Sequence, residues 1–269
     1  MHTTSGKGAS EGFVLTTKDI VAGLREAGIA AGGTVLVHSS LSSLGWVEGG
    51  ENAVIDALIE AVGHSGLLAM PSHTWGTVNA RQPVFHQSLS PSTVGRVTES
   101  FRHRASVMRS MHPTHSVTAL GADAEEFTRG HELFSTPCAP SSPYGQLVDR
   151  AGKVLLVGVG LDRFTLMHAF EEWAEVPWLF NRTEQLYSIS AQNHVYSVPS
   201  RRHTNDPRWH RRDFPSLEPV LRANEAISYS TLGAATLRLV DARRAAACLV
   251  PLIASQPDIV VAKTDFGGS

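Results

Sequence analysis

Lys153–Glu175 reads KVLLVGVGLDRFTLMHAFEEWAE: a strand, a turn and a helix in one stretch. The apolar run Val154–Val157 stops at Gly158 and Gly160, and the chain turns through Leu161-Asp162-Arg163. A helical pattern then runs on to end before Pro177. Thr165, His168 and Glu171 lie three residues apart and so fall near one helical face, with Glu172 and Glu175 at +4 and +7 from the histidine. An α/β enzyme places a base and receives a cationic substrate on such an acidic face, just past the carboxyl end of a strand.

The remainder of the 269 residues supports an α/β reading. Thr16 or Thr17 can cap a helix over Lys18–Ala27 with Asp19 in its first turn. A strand follows at Thr34–His38, then a loop (Ser39–Gly50), a helix at Asn52–Val62 and a strand at Leu67–Pro71. Further helices are expected at Thr93–His103, Gly121–Gly130, Leu217–Ala226 and Asp241–Ala254. Further strands are expected at Ser116–Leu120, Thr236–Val240 and Ile259–Ala262, with a Tyr/Val-rich segment at Leu186–Val198. Such alternation predicts mixed sheet layers covered by helices, in a single two-lobed unit from residue 15 to 269 behind a disordered tail at 1–14.

Composition removes several classes. Hydrophobic residues make up 42% of the chain, charged residues 18%, and the net charge is −2, so no global field draws nucleic acid. The basic cluster from Arg201-Arg202 to Arg211-Arg212 is interrupted by Asp206 and Asp213 and lacks an aromatic ladder; it reads as a solvated loop. No apolar stretch approaches the ~18–20 residues that cross a bilayer, and MHTTSGKGASEG has no hydrophobic core of a secretory signal. Cys138 and Cys248 stand far apart, without metal or redox spacing, as expected of reduced thiols in a cytoplasmic protein.

Familiar catalytic signatures are missing as well. Gly158-Val159-Gly160 starts a dinucleotide pattern, but Arg163 holds the place of its third glycine. GxxxxGK[ST], GxSxG and HExxH do not occur. Three segments besides the opening one carry candidate chemistry. His38–Gly45 (HSSLSSLG) ends a strand with hydroxyls and backbone N–H groups suited to phosphates or to the amides of a cofactor arm, or is simply a serine-rich loop. Arg109–Ser116 (RSMHPTHS) offers an arginine for phosphate beside a stiffening Pro113, or is a turn with incidental histidines. Pro137–Gly145 is a rigid loop at a pocket edge, or a connection.

Taken in this order, the segments resemble the aminoglycoside 3-N-acetyltransferase family, antibiotic acetyltransferases outside the GNAT fold. The matching stretches are VLVHSSLSSLG (Val35–Gly45), RSMHPTHSVTALG (Arg109–Gly121), PCAPSSPYGQL (Pro137–Leu147) and LLVGVGLDRFTLMHAFE (Leu155–Glu171), with a weaker match at Leu232–Pro251. The resemblance implies the antibiotic N-acetyltransferase fold and direct acetyl transfer from acetyl-CoA, with no metal, to the 3-amino group of an aminoglycoside, conferring resistance. It implies His168 as catalytic histidine, Thr165 beside it, and Asp213 as acidic partner, with Asp206 the alternative. Cofactor-binding positions carry over to Ser39, Ser40, Leu41, Gly45, Arg109, Ser110 and His112. Glu171, Glu172 and Glu175 would orient a polyammonium sugar. Many members carry Asn before the Thr; Phe164 stands there instead and points to an altered substrate shape.

An amine is nucleophilic only when deprotonated, so a histidine base with a carboxylate on its second nitrogen suits this chemistry. A hydroxyl donor such as Thr165 can stabilise a developing oxyanion by ~3 kcal/mol. Other readings are the same transfer to a biosynthetic amine, a metal hydrolase built on His112, His115 and His168, and a binding protein without turnover. Oligomeric state, a homodimer included, is left open, and neither nucleic acid nor membrane is expected as a partner.

Overall fold

The computed structural model describes residues 14–262 except 205, 207 and 210. The expected N-terminal tail therefore lies outside the described residues, apart from Val14, which already belongs to a strand. The chain begins β1 (Val14–Leu15), α1 (Thr17–Glu26), β2 (Thr34–Ser39), β3 (Trp46–Val47), α2 (Gly50–Val62) and β4 (Leu67–Pro71). It continues β5 (Val84–His86), α3 (Arg96–Arg102), β6 (Met108–Arg109), β7 (Val117–Gly121), α4 (Ala124–Thr128), α5 (Pro143–Asp149) and β8 (Lys153–Val157). Then come α6 (Leu166–Trp173), β9 (Gln185–Ala191), β10 (His194–Ser200), α7 (Glu218–Ala223), β11 (Ile227–Leu232), β12 (Ala235–Asp241) and α8 (Ala242–Ser255).

Seven strands form one mixed sheet in the order β11-β12-β8-β2-β4-β7-β6. Its centre, β8-β2-β4, is parallel, and both flanks are antiparallel. Period-two alternation in the central strands feeds two cores. Val35, Val37, Leu68, Met70, Leu155 and Val157 pack in the core that α1, α2 and α3 cover. Leu36, Leu67, Ala69, Val154 and Leu156 pack in the other, with residues of α5, α6 and α8. A separate three-stranded sheet, β10-β9-β5, carries a small core of Val78, Phe85, Tyr187, Ile189 and Val198.

The α/β class and the mixed sheet are as the sequence led us to expect; several boundaries are not. Thr16 is the α1 cap: its hydroxyl accepts from Asp19 N–H while Asp19 accepts back from Thr16 N–H at 2.9 Å. The helices expected at Thr93–His103 and Gly121–Gly130 shrink to α3 and α4, both entered through positive-φ or otherwise extended residues that stop a longer helix. Ile259–Ala262 is not a strand; Pro257–Val260 winds as a 3-10 turn started by proline. The Tyr/Val segment is a β9–β10 hairpin with Gln192 and Asn193 at positive φ.

Parallel strands end together, so the carboxyl ends of β2, β4 and β8 open onto one crevice. Gly158, just past β8, has φ +62°, and a Cβ there would lie 1.6 Å from Ser43 Oγ. The Ser43 hydroxyl itself donates to Ser40 O at 2.6 Å. Gly158 thereby lets the serine loop after β2 lie against the turn after β8. Gly158→Ala is expected to cost about 2 kcal/mol through the left-handed backbone alone, lowering the melting temperature by several degrees; an unchanged melting curve would show that the loop yields freely.

Candidate active site

The crevice is a cleft of about 1500 Å³. One side is built by the serine loop (Ser39, Ser40, Leu41, Gly45), the entry to α2, residues 93–98 and the turn Gly158–Arg163. The other is built by His73, His115 and the segment carrying Arg202, His203, Thr204, Arg212 and Phe214. Thr165 and His168 lie on its wall between them. Thr165 is the N-cap of α6, with φ −57° and ψ −30°, and its hydroxyl makes no capping hydrogen bond. One turn later His168 presents an imidazole whose side chain is 25% exposed, enough for contact with a ligand.

Glu171 is fully buried. One carboxylate oxygen, Oε2, lies 2.6 Å from His168 Nδ1, and the other, Oε1, accepts from Arg212 Nε at 2.5 Å. A carboxylate can only accept here, so Nδ1 carries the proton and Nε2 of the neutral ring keeps its lone pair. Phe214 meets the His168 ring edge-on at 5.1 Å, and His203 lies against it at 4.3 Å with a 31° tilt. Arg212 is in turn held over the Trp178 ring, 4.6 Å from its centroid. The carboxylate that meets His168 therefore comes from the histidine's own helix. Asp213 does not line the cleft: Arg212 and Phe214 on either side reach His168 and Glu171, while the Asp213 N–H donates to Val260 O. Asp206 is bound bidentate by Arg208, at 3.0 and 2.6 Å.

Comparison with known proteins agrees with this architecture. The family model described as aminoglycoside 3-N-acetyltransferase matches residues 36–254. The chain belongs to the aminoglycoside 3-N-acetyltransferase family. Aminoglycoside N(3)-acetyltransferase VIII of Streptomyces fradiae is 35% identical over 184 residues, which are 62% of this chain and 64% of that relative, so the match spans less than two thirds of its length. Among solved structures, aminoglycoside acetyltransferase AAC(3)-IVa in complex with a gentamicin superposes with a TM-score of 0.81 at 27% identity, covering 97% of this chain and 96% of that one. The binary complex of AAC-IIIb with CoASH superposes with a TM-score of 0.80 at 25% identity, covering 94% and 100%.

Of the positions carried over from the family for the cofactor, Ser39, Ser40, Leu41 and Gly45 line the cleft. Arg109, Ser110 and His112 do not. Arg109 is 7% exposed and donates to the backbone carbonyls of Ser72, Gln87 and Ser90, tying the sheet edge to the loop beneath it. Ser110 is hydrogen-bonded to His131 Nδ1 at 2.9 Å and accepts from Val117 N–H at 2.8 Å. His112 accepts at Nδ1 from the N–H groups of Thr114 and His115. This motif is internal scaffolding; a buried arginine meeting carbonyls and a phosphate-binding one have the same sequence signature. Among the described residues no group of three or more His, Cys, Asp or Glu is arranged to hold a metal.

The three glutamates meet different fates. Glu171 belongs to the dyad. Glu172 accepts from the Thr136 hydroxyl and from Cys138 N–H at 3.1 Å, and Glu175 is exposed just past α6 at φ +54°; neither lines the cleft. Phe164, 1% exposed, packs edge-on with Phe170 at 6.2 Å and also belongs to the cleft lining. The sequence assigned no role to His73, which stands outside any motif, to His203 and Arg212, which fall in the basic cluster that reads as a solvated loop, or to His38, although it opens the serine-loop segment. His38 Nε2, His203 Nε2 and Ser39 Oγ are buried in the cleft wall without a hydrogen-bond partner among the described residues, polar atoms available to a ligand.

Burial raises the Glu172 carboxyl to about 7, against the hydrogen bonds from Thr136 and Cys138 that favour its ionised form. A folded-state value above the ordinary carboxylate range means stability present at low pH and lost as pH rises towards 7. Glu172→Gln should therefore melt closest to wild type near pH 5 and gain relative to it up to pH 8. A difference independent of pH would remove Glu172 as the titrating group.

Proposed function

We propose that this chain transfers an acetyl group from acetyl-CoA to an amine of an aminoglycoside, the 3-amino group by analogy with its relatives, with His168 as general base; antibiotic resistance is the corresponding role. The observation that carries the proposal is the His168–Glu171–Arg212 chain on the wall of a cleft of about 1500 Å³. That volume exceeds the ~300–1000 Å³ of a site for one ligand and suits two bound together. The residues fit an extended coenzyme arm: Ser39 Oγ is an unpartnered buried hydroxyl beside the serine loop, where an amide N–H or carbonyl could meet it.

Acetyl-CoA would supply an activated thioester carbonyl. His168 Nε2 takes the proton of the attacking amine as its nitrogen bonds to the carbonyl carbon. Glu171, hydrogen-bonded to Nδ1, steadies the imidazolium so formed, and Arg212 holds the carboxylate in place. Thr165, one turn before the histidine on the same wall and free of a capping bond, would donate its hydroxyl to the oxygen on which charge develops. As the carbon–sulfur bond breaks, His168 returns the proton to the departing thiolate, which leaves an amide, a thiol and a neutral histidine. No covalent acyl-enzyme is required.

Thiol release from acetyl-CoA in the presence of gentamicin or apramycin tests this. His168→Ala should retain the wild-type melting temperature and lose at least 10²-fold in turnover, as expected for loss of a general base. Glu171→Gln should lose about tenfold or more, while Asp213→Asn stays within about twofold. Wild-type turnover in His168→Ala, or an Asp213→Asn loss larger than that of Glu171→Gln, would contradict the assignment.

A further inference from the structure

Arg212 holds Glu171 at a single point. Of its guanidinium N–H groups only Nε meets the carboxylate, 2.5 Å from Oε1, where a fork of two N–H groups would fix both direction and plane. One bond leaves a guanidinium free to swing about it, and this arginine reaches α6 from 41 residues away. Its main chain is anchored, since Arg212 bridges Val261 and Asp213 N–H donates to Val260 O. Those contacts hold the base of the side chain and leave its planar end to be set by something else.

The ring of Trp178 sets it. Arg212 Cζ lies 4.6 Å from the ring centroid, and the arginine side chain is only 9% exposed, so the attraction of a cation for a π-face acts with little water between. An aromatic face suits this position because it restrains the guanidinium without competing for its charge. Among the described residues Glu171 is the one carboxylate within ion-pair distance of Arg212. Trp178 is itself held twice: its Nε1–H donates to Asp258 Oδ1 at 3.3 Å, and Trp209 stacks on it, centroids 5.1 Å apart and planes 7° from parallel. The Arg208 guanidinium lies over Trp209 in turn, 5.9 Å from its centroid. Neither tryptophan lines the cleft, so their route to the site runs through Arg212.

We infer that Trp178 is a positioning residue for acetyl transfer: its ring fixes the plane of Arg212, Arg212 fixes Glu171, and Glu171 fixes the imidazole of His168, with Trp209 stacked on Trp178 as its support. The inference rests on the proposed acetyl transfer and adds to it residues that steer the base from outside the cleft. Without the ring the Arg212–Glu171 bond still forms but is no longer aimed, while the surfaces that bind coenzyme and acceptor stay as they are. Misalignment of that kind lowers kcat and leaves KM unchanged.

The test is thiol release from acetyl-CoA with gentamicin, kcat and KM measured separately. Trp178→Leu should lose about tenfold in kcat, with KM for both substrates within about twofold of wild type. Trp178→Phe keeps a ring face and should recover most of that loss. Arg212→Lys keeps the charge but not the flat group that lies on the ring, so adding Trp178→Leu to it should cost less than about twofold more. Wild-type kcat in Trp178→Leu, a loss confined to KM, no recovery in Trp178→Phe, or losses at the two positions that multiply would each overturn the inference. If Trp178→Leu does not fold, Trp209→Ala replaces it: about threefold lower kcat upholds the inference, and wild-type kcat overturns it. If the wild type releases no thiol, acetyl transfer itself fails as the reading of this site. Proton–nitrogen-15 NMR of the Arg212 side chain, assigned by difference against Arg212→Lys, then decides the clamp separately. An Nε–H signal sharp in wild type and Trp178→Phe but broadened in Trp178→Leu upholds it; a signal absent from the wild type, or unchanged in Trp178→Leu, overturns it.

Discussion

A fully buried carboxylate, Glu171, shared between an imidazole and a guanidinium, is the constraint on which the rest of the site depends. An isolated charge at that depth would be expelled or neutralised; paired on both oxygens it persists, and removing either partner leaves a penalty. The pairing does two things together. It links α6 to the segment before α7, two stretches about forty residues apart in sequence, and it fixes which nitrogen of His168 faces the cleft with a lone pair. Fold and chemistry are joined at this carboxylate.

Its placement follows from the sheet. β8 lies between β2 and β12, so its carboxyl end emerges beside that of β2, and the turn Gly158–Arg163 delivers the chain into α6 at the crevice. Gly158 accepts a backbone conformation and a closeness to Ser43 that a side chain would obstruct. The serine loop and the helix that carries His168 are thus neighbours because of two parallel strands and one glycine. On the opposite side, the bridge between Arg212 and Val261 and the fit of Phe214 against His168 set the second wall.

Much of this was legible in the chain. The strand–turn–helix at Lys153–Glu175, the T-x-x-H-x-x-E spacing and the serine loop carry local periodicity or repeated chemistry, and the cleft assembles around them. The identity of the acidic partner was not legible. Glu171 and His168 are three apart, a geometry that serves a dyad and a substrate-facing stripe equally well, and only burial distinguishes them. Arg109, Ser110 and His112 are hard to read for a related reason: polar residues that satisfy buried carbonyls and amides look, in sequence, like residues that meet a ligand. That Arg202, His203, Thr204 and Arg212 line the cleft was invisible because Arg212 and His203 meet α6 through long-range contacts to which no periodicity points. Glu172 shows the limit of helical-face arguments, since one position beyond Glu171 already turns to the Thr136–Cys138 loop.

The central claim is that Glu171 holds neutral His168 as the Nδ1–H tautomer, leaving Nε2 as the base. Nitrogen-15 NMR of ring-labelled histidine, with His168 assigned by difference against His168→Gln, measures this directly. The expected result for the neutral ring is a protonated, pyrrole-type Nδ1 and an unprotonated, pyridine-type Nε2. A neutral ring carrying its proton on Nε2 would contradict the account, because that nitrogen could then accept nothing from an attacking amine.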